Sequence, residues 1–296
     1  IAAVTFTIEE VVGKLDQAVL SGVIVAAALA AVIERSVLGA HPVLDVPHGY
    51  ALQHASSLVI YALIGVAAAM VSVVFTDGLL KTRAAFRASK LPRWVQPGVG
   101  GLVTGALAAA AWMVFGTRGV TGGGYDTLLS ALTGKVGISV MLVLLGLKVL
   151  ATIASYSSGG AGGLFAPALF VGAMLGGVLG SLDTVLLGHH DGLGAFALVG
   201  MGAVFAGTIR APMTSVLIII EMTNGYSLIL PLMIANMASY VLARAWRPTP
   251  IYEALLEQDG VHIKQNVVMD ALEEVPISRL MKPHEHLRTV TLGTVA

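Results

Sequence analysis

Ser157-Ser158-Gly159-Gly160-Ala161-Gly162-Gly163-Leu164-Phe165-Ala166-Pro167 sits inside a run, 149–182, that contains no Asp, Glu, Lys or Arg. Glycines at this density break a helix. In lipid, broken backbone is tolerated only where protein buries it or a polar cavity takes up its free groups. A break followed by a new helix leaves unpaired N–H groups aimed at one spot, with the positive end of the helix dipole behind them. That arrangement suits an anion without any charged side chain.

The composition around this stretch makes the bilayer the solvent. Hydrophobic residues are 56% of the chain and charged residues 11%, against about 25% charged in soluble domains. Mean hydropathy is +0.85. These values predict an all-α polytopic membrane protein. The chain has no cysteine, which excludes disulfides and thiolate metal sites. The formal net charge is zero but uneven: acidic residues outnumber basic ones from Tyr252 onward, so that part reads as water-facing. No signal peptide is visible. Ile1 opens in what reads as the end of a buried helix and Ala296 closes in a strand-like pattern, which leads us to expect a piece of a longer protein.

Charge-free windows at 17–33, 46–76, 94–117, 149–182, 192–209 and 222–243 mark the expected spans, with shorter apolar stretches at 127–134, 136–147 and 211–220. Spanning takes roughly 20 apolar residues. The short, Gly/Pro-interrupted segments read as the half-helices of a transporter. Lys81, Arg83, Arg87, Lys90 and Arg93 in a 77–93 loop, and Arg244 and Arg247 after the last span, place both regions in the cytoplasm. A shift of 212 positions lays Val4–Glu9 over Val216–Glu221. Each is a short apolar helix ending in a carboxylate, followed by a polar turn and a long apolar helix. Two copies suggest a structural repeat. Pro248-Thr249-Pro250 is a stiff elbow, and 252–259 reads as a short amphipathic helix.

The residues resemble a family at this point. Gly163-Leu164-Phe165-Ala166-Pro167 is similar to the Gly-x-Phe-x-Pro motif of the CLC chloride channels and chloride/proton antiporters. Gly207–Thr214 and the run to Glu221-Met222-Thr223, Ile229-Leu230-Pro231, Pro250-Ile251-Tyr252 and Gly122-Gly123-Gly124 resemble further family blocks, in the family's order, over about 1–258. The resemblance implies an inverted-repeat helical fold with broken, tilted helices, of which 1–248 is the second half of the membrane domain. Residues 249–262 form a cytoplasmic pore-lining helix and linker. The tail, 263–296, with Ile277-Ser278-Arg279-Leu280-Met281, resembles the opening of a soluble α/β CBS domain; a complete module of that kind implies a nucleotide ligand. No other cofactor is expected, and chloride is cargo.

The same resemblance implies site residues. Gly163, Leu164, Phe165 and Ala166 line the anion site, with backbone N–H groups as donors. Helix-end partial charge of roughly +0.5 binds an anion loosely enough to release it. The Phe165 ring edge carries partial positive charge. Tyr252 adds a hydroxyl donor; read without the resemblance, it is an interfacial aromatic anchor. Glu9 and Glu10 point about 100° apart. Glu9 overlays Glu221 and is expected to be structural, paired with Lys14 or an arginine. Glu10 overlays Met222 and matches the family's cytoplasmic proton-transfer position, a role that suits an ionisable group at a membrane helix end. The gating glutamate and inner-site serine of the family belong to its first half. The family is dimeric, through helices matching 1–10, 17–35, 212–222 and 227–243, whose Ala26, Ala27, Ala30, Ala235, Ala238 and Ser239 suit close packing.

The expected function is chloride/proton antiport across the cell membrane, with a passive chloride channel as the alternative. Partners are chloride, protons, lipid and a second copy; nucleic acid is not among them. Ser157 and Ser158 with His189 or His190 faintly suggest an intramembrane serine protease, but Gly-x-Ser-Gly and His-Glu-x-x-His are absent, so no enzyme is expected. A cation-coupled transporter calls for midplane carboxylates, which the breaks lack. His189-His190-Asp191 reads as a solvated loop and not a metal site. Gly172, Gly176 and Gly180 read as a packing stripe. Arg210, at the start of a helix, opposes its dipole and is expected to pair with Glu221 or Asp126 or to add positive potential to the anion route.

Overall fold

The computed structural model describes residues 1–12, 17–39, 43, 44, 50, 54–188, 192–223 and 225–261. The CBS-like tail, the His189-His190-Asp191 loop and Lys14 lie outside them. Helix is the regular secondary structure of the described residues, with no strand among them. α1 (Ala2–Phe6) continues into a π-helical turn (Thr7–Val12). It is followed by α2 (Gln17–Leu38), α3 (Leu58–Ala88), α4 (Gln96–Phe115), α5 (Tyr125–Leu132), α6 (Ile138–Ser157), α7 (Phe165–Leu182), α8 (Leu193–Ile209), α9 (Pro212–Thr223), α10 (Ile229–Trp246) and α11 (Ile251–Gln258). Six helical stretches are long and apolar enough to cross a bilayer; α8 and α9 are shorter.

α8 is the axis of the bundle. Every residue from Gly194 to Ile209 is buried, so an apolar sequence with no polar face is what its position demands. Glycine lets α7 lie against it. A Cβ on Gly172 would come 2.3 Å from the Gly200 carbonyl oxygen, one on Gly200 2.2 Å from that of Gly172, and one on Gly176 2.1 Å from that of Phe196. At Gly172 and Gly176 the expected stripe is therefore a backbone-to-backbone contact, the arrangement that drives helix association where lipid removes the hydrophobic incentive, while Gly180 faces the Phe196 side chain. α10 meets α3 in the same way: Gly65 faces the Ala235 carbonyl oxygen at 2.6 Å from its would-be Cβ.

Four expectations change, the partner of Glu9 among them. The 77–93 loop is largely helix, because α3 runs on to Ala88. Asp77, Lys81, Arg83 and Arg87 ride its last turns, and the Gln96 amide closes the end by donating to the carbonyls of Phe86 (3.1 Å) and Leu91 (3.0 Å). Ala235 and Ser239 do not lie on an outer face; both are buried inside the bundle, Ser239 against Gly207. The open face of α10 carries Leu230, Met233, Met237 and Val241 instead. Arg210 caps the end of α8 and does not open α9. It adopts a left-handed φ of 71°, its N–H bonds the Ala206 carbonyl, and its guanidinium donates to the carbonyls of Gly207 (2.9 Å), Ala243 (2.7 Å) and Arg247 (2.6 Å). The cation thus sits at the negative ends of both α8 and α10, where it favours the dipoles.

The repeat is visible as geometry. A shift of 212 carries the start of α2 onto the start of α10 and α1 onto α9. Among the described residues, Glu9 does not pair with an arginine. Its carboxylate accepts from the N–H groups of Met213 (3.1 Å) and Thr214 (2.7 Å) and from the Thr214 hydroxyl (2.6 Å). Glu221 accepts from the N–H of Ala2, 3.2 Å to each oxygen. Ala2 and Thr214 are equivalent under the same shift, so each carboxylate caps the start of the other's helix. The two helices are packed antiparallel, as an inverted repeat requires.

Candidate anion and proton site

The break predicted at 159–164 is present. α6 ends at Ser157, Gly159 takes a left-handed φ of 90°, and α7 begins at Phe165 behind Leu164. Gly159 and Gly160 still donate to the carbonyls of Tyr156 and Ser155; backbone bonding resumes at Ala168, which donates to Leu164 at 3.1 Å. Between them, among the described residues, the amides of 161–166 meet no protein acceptor. Leu164 is fully buried, Phe165 and Ala166 half-buried, and 161–163 open. The free amides of Gly163, Leu164, Phe165 and Ala166 therefore lie at the start of an 18-residue helix. Unpaired amides at a helix start favour negative charge.

Rings fix this start. Phe165 lies edge-on to Phe205 of α8 at 4.7 Å and to Phe6 of α1 at 6.4 Å between centroids. Both contacts are T-shaped, the geometry aromatic quadrupoles prefer. The ring anchors the start of α7 to α1 and to α8.

Tyr252 and Glu10 are held by different elements, α11 and the π turn after α1. Tyr252 is half-buried on α11 and packs against the core, as do Phe165, Phe6 and Tyr156. It lies within electrostatic reach of Tyr156 and Glu10. Glu10, half-buried in the π turn after α1, is within reach of Glu253, Glu9 and Arg210. The π turn rotates successive side chains differently from an α-helix. Glu9 is thereby committed to α9 while Glu10 is left toward α11.

Both ends of α11 are tied to α3. At the elbow, Arg247 donates to Asp77 at 2.6 Å. At the far end Arg83 donates to the Leu255 carbonyl (3.2 Å), to Gln258 (3.3 Å) and to Asp259 (3.1 Å), and Arg87 donates to the Gln258 carbonyl (2.5 Å) and to Asp259. Gln258 returns a bond to the Leu80 carbonyl at 3.1 Å. Arg83 and Arg87 hold the Asp259 carboxyl below its usual range through hydrogen bonds, Arg87 foremost. These arginines, with Arg93, Tyr156 and the glycines of 159–162, line a cavity of about 820 Å³ beside the break. Sequence reading marked Arg83 and Arg87 only as topogenic charges; their contact with α11 joins residues more than 170 positions apart, which no local pattern reveals.

Sequence reading also passed over Lys148. It is 1% exposed on α6. Its ammonium donates to the carbonyls of Gly119 (3.1 Å), Val120 (3.1 Å) and Gly122 (2.7 Å) and stands 5.0 Å from the Phe170 ring centroid. The signal was there: Lys148 is the lone charge between the apolar stretches 136–147 and 149–182. The serine hydroxyls, by contrast, are spent on backbone. Ser157 donates to Leu79 and Ser158 to Ser155, each at 2.9 Å, which argues against a nucleophile there.

Comparison with known proteins agrees with this architecture. The family model described as "Voltage gated chloride channel" matches residues 1–244. The H(+)/Cl(-) exchange transporter ClcA of Vibrio campbellii is 32% identical over 266 residues, 87% of this chain and 55% of that protein. A putative chloride channel protein ClcB-like of Ralstonia nicotianae is 34% identical over 260 residues, 88% of this chain and 59% of that protein. Among solved structures, a slow cyanobacterial Cl-/H+ antiporter matches with a TM-score of 0.75 at 26% identity, over 87% of this chain and 60% of that one. The chain thus spans little more than half the length of these relatives. With its broken helix, its inverted pair and a family match over most of its length, the chain belongs to the voltage-gated chloride channel family.

Proposed function

We propose that the protein of which this chain is a part exchanges chloride for protons across a membrane, and that the chain supplies one wall of the anion site and the inner end of the proton route. The observation that carries this reading is the set of unpartnered amides at 161–166, directed to one place by α7. Gly163, Leu164, Phe165 and Ala166 offer N–H donors to a dehydrated anion, and the hydroxyl of Tyr252 donates from α11. Partial charges at a helix end hold the anion without trapping it, as transport requires.

Glu10 carries the proton arm. It is the acid of the adjacent pair that is not used as a helix cap, and it lies within electrostatic reach of Tyr252. Relatives named as H(+)/Cl(-) exchange transporters support exchange over passive conduction. The protein acts as a transporter, not an enzyme. The basic end of α3 and the C-terminal segment face the cytoplasm, where the positive-inside rule puts them. A second copy docks on the open faces of α1, α2, α9 and α10.

The test is paired chloride and proton flux in liposomes containing the full-length protein. Chloride efflux should drive proton uptake, and Glu10→Gln should keep chloride movement while abolishing proton movement. Chloride flux with no proton flux in the wild type makes the protein a passive channel. Coupling that survives Glu10→Gln removes Glu10 from the route.

A further inference from the structure

Lys148 is a full positive charge buried in a membrane helix with no carboxylate paired to it among the described residues. Ionisable side chains inside a membrane are costly and mark function by default. Three carbonyls satisfy all three donors of the ammonium, so the hydrogen bonds are complete while the charge stays uncancelled. Carbonyl dipoles and the Phe170 face solvate a cation but do not neutralise it.

Its place follows from the chain. α6 runs toward the glycine break and α7 away from it, so Lys148 and its neighbour Phe170 lie on the same side of the break. Ser157, hydrogen-bonded to Leu79, and the Arg83/Arg87 cavity lie at the level of the break itself. Phe170 is one and a half turns beyond Phe165. At about 1.5 Å per residue, the ammonium is on the order of 10 Å from the start of α7. A unit charge at that separation, in a medium of effective dielectric about 20, changes the affinity for a monovalent anion by roughly tenfold.

We propose that Lys148 is a fixed field charge for the anion route: it raises chloride occupancy at the start of α7 from the side opposite the Arg83/Arg87 cavity, without touching the ion. With every donor engaged, it attracts the anion through space but offers no direct bond that would hold it. This rests on the anion-transport reading. The loop carbonyls of Gly119, Val120 and Gly122 are the holder that keeps the charge in place, which makes Lys148 a positioning residue for the anion and not a ligand.

Two routes cancel the field of this charge. Lys148→Gln deletes it and Lys148→Arg retains it. Gly122→Asp leaves the lysine intact and sets a carboxylate beside it: Gly122 has a φ of 54°, a Cβ there meets nothing within 4 Å, and Asp is among the residues that tolerate that conformation. Gly122→Asn is its uncharged twin. Chloride flux by the full-length protein in liposomes is measured against chloride concentration. The half-saturating concentration should rise about tenfold in Lys148→Gln and in Gly122→Asp, and stay near wild type in Lys148→Arg and Gly122→Asn. If Lys148→Gln does not fold, the Gly122 pair decides alone. Unchanged half-saturation in Gly122→Asp, or equal weakening by Asp and Asn, overturns the proposal. A wild type that moves no chloride overturns the transport reading and this one together, whereas an active wild type with indifferent variants overturns this one only.

Discussion

Glu9 and Glu221 cap each other's helices. The carboxylate of Glu9 receives the first amides of α9, and that of Glu221 receives the first amide of α1. The sequence shift that superposes the two acids also superposes their targets. A carboxylate at a helix start satisfies orphan donors and complements the dipole, and here each repeat supplies the cap of the other. Substituting Glu9 by Ala strips three hydrogen bonds from one start and should cost about 1–2 kcal/mol, read as a lower Tm in detergent. Glu10→Gln, whose side chain is not used as a cap, should leave Tm unchanged. Equal losses for the two would contradict this division of labour.

The α7–α8 contact tolerates no side chain at its centre. Gly200→Ala would set a methyl 2.2 Å from the Gly172 carbonyl oxygen, so the helices must separate. Overpacking of this kind costs about 1–3 kcal/mol. A sharp fall in the yield of monodisperse protein is expected from Gly200→Ala, and none from Gly101→Ala, where a Cβ meets nothing within 4 Å.

Tyr252 contributes one hydroxyl donor in the proposed anion site. Tyr252→Phe keeps the ring and its packing, and should weaken chloride binding about fivefold, the equivalent of about 1 kcal/mol for one hydrogen bond. Isothermal titration of the purified full-length protein measures this directly, with Tyr240→Phe, on α10 outside the proposed anion site, as the silent control.

The Arg83/Arg87–Asp259 tie has a pH signature. Asp259 is held below its ordinary value of 3.8 by its arginine hydrogen bonds. A carboxyl with a depressed folded pKa contributes fully above its unfolded value and loses that contribution as pH falls through the lower, folded one. Hydrogen exchange at the end of α11 should therefore be constant from about pH 5 to about pH 8, once corrected for intrinsic rates, and accelerate only in stronger acid. Asp259→Asn should show the faster exchange already at neutral pH. A neutral-pH transition in the wild type would assign the tie to another group.

The class of protein and its decisive break are local properties. A glycine cluster cannot continue a helix, an apolar run without charge belongs in lipid, and two prolines at 248 and 250 separate α10 from α11. Each is written within a few residues, so the sequence alone determined them, together with the repeat that correspondence at a fixed shift exposes. The partners of charged groups were decided elsewhere. Glu9 meets amides 204 residues away, Arg210 turns out to close α8 because it takes a left-handed φ, and Lys148 finds its three carbonyls in a loop 26 to 29 residues upstream. Helical periodicity reports which face a residue occupies, but not which distant helix end or carbonyl that face will meet. Only tertiary packing brings such groups within hydrogen-bond distance, where desolvation makes pairing obligatory.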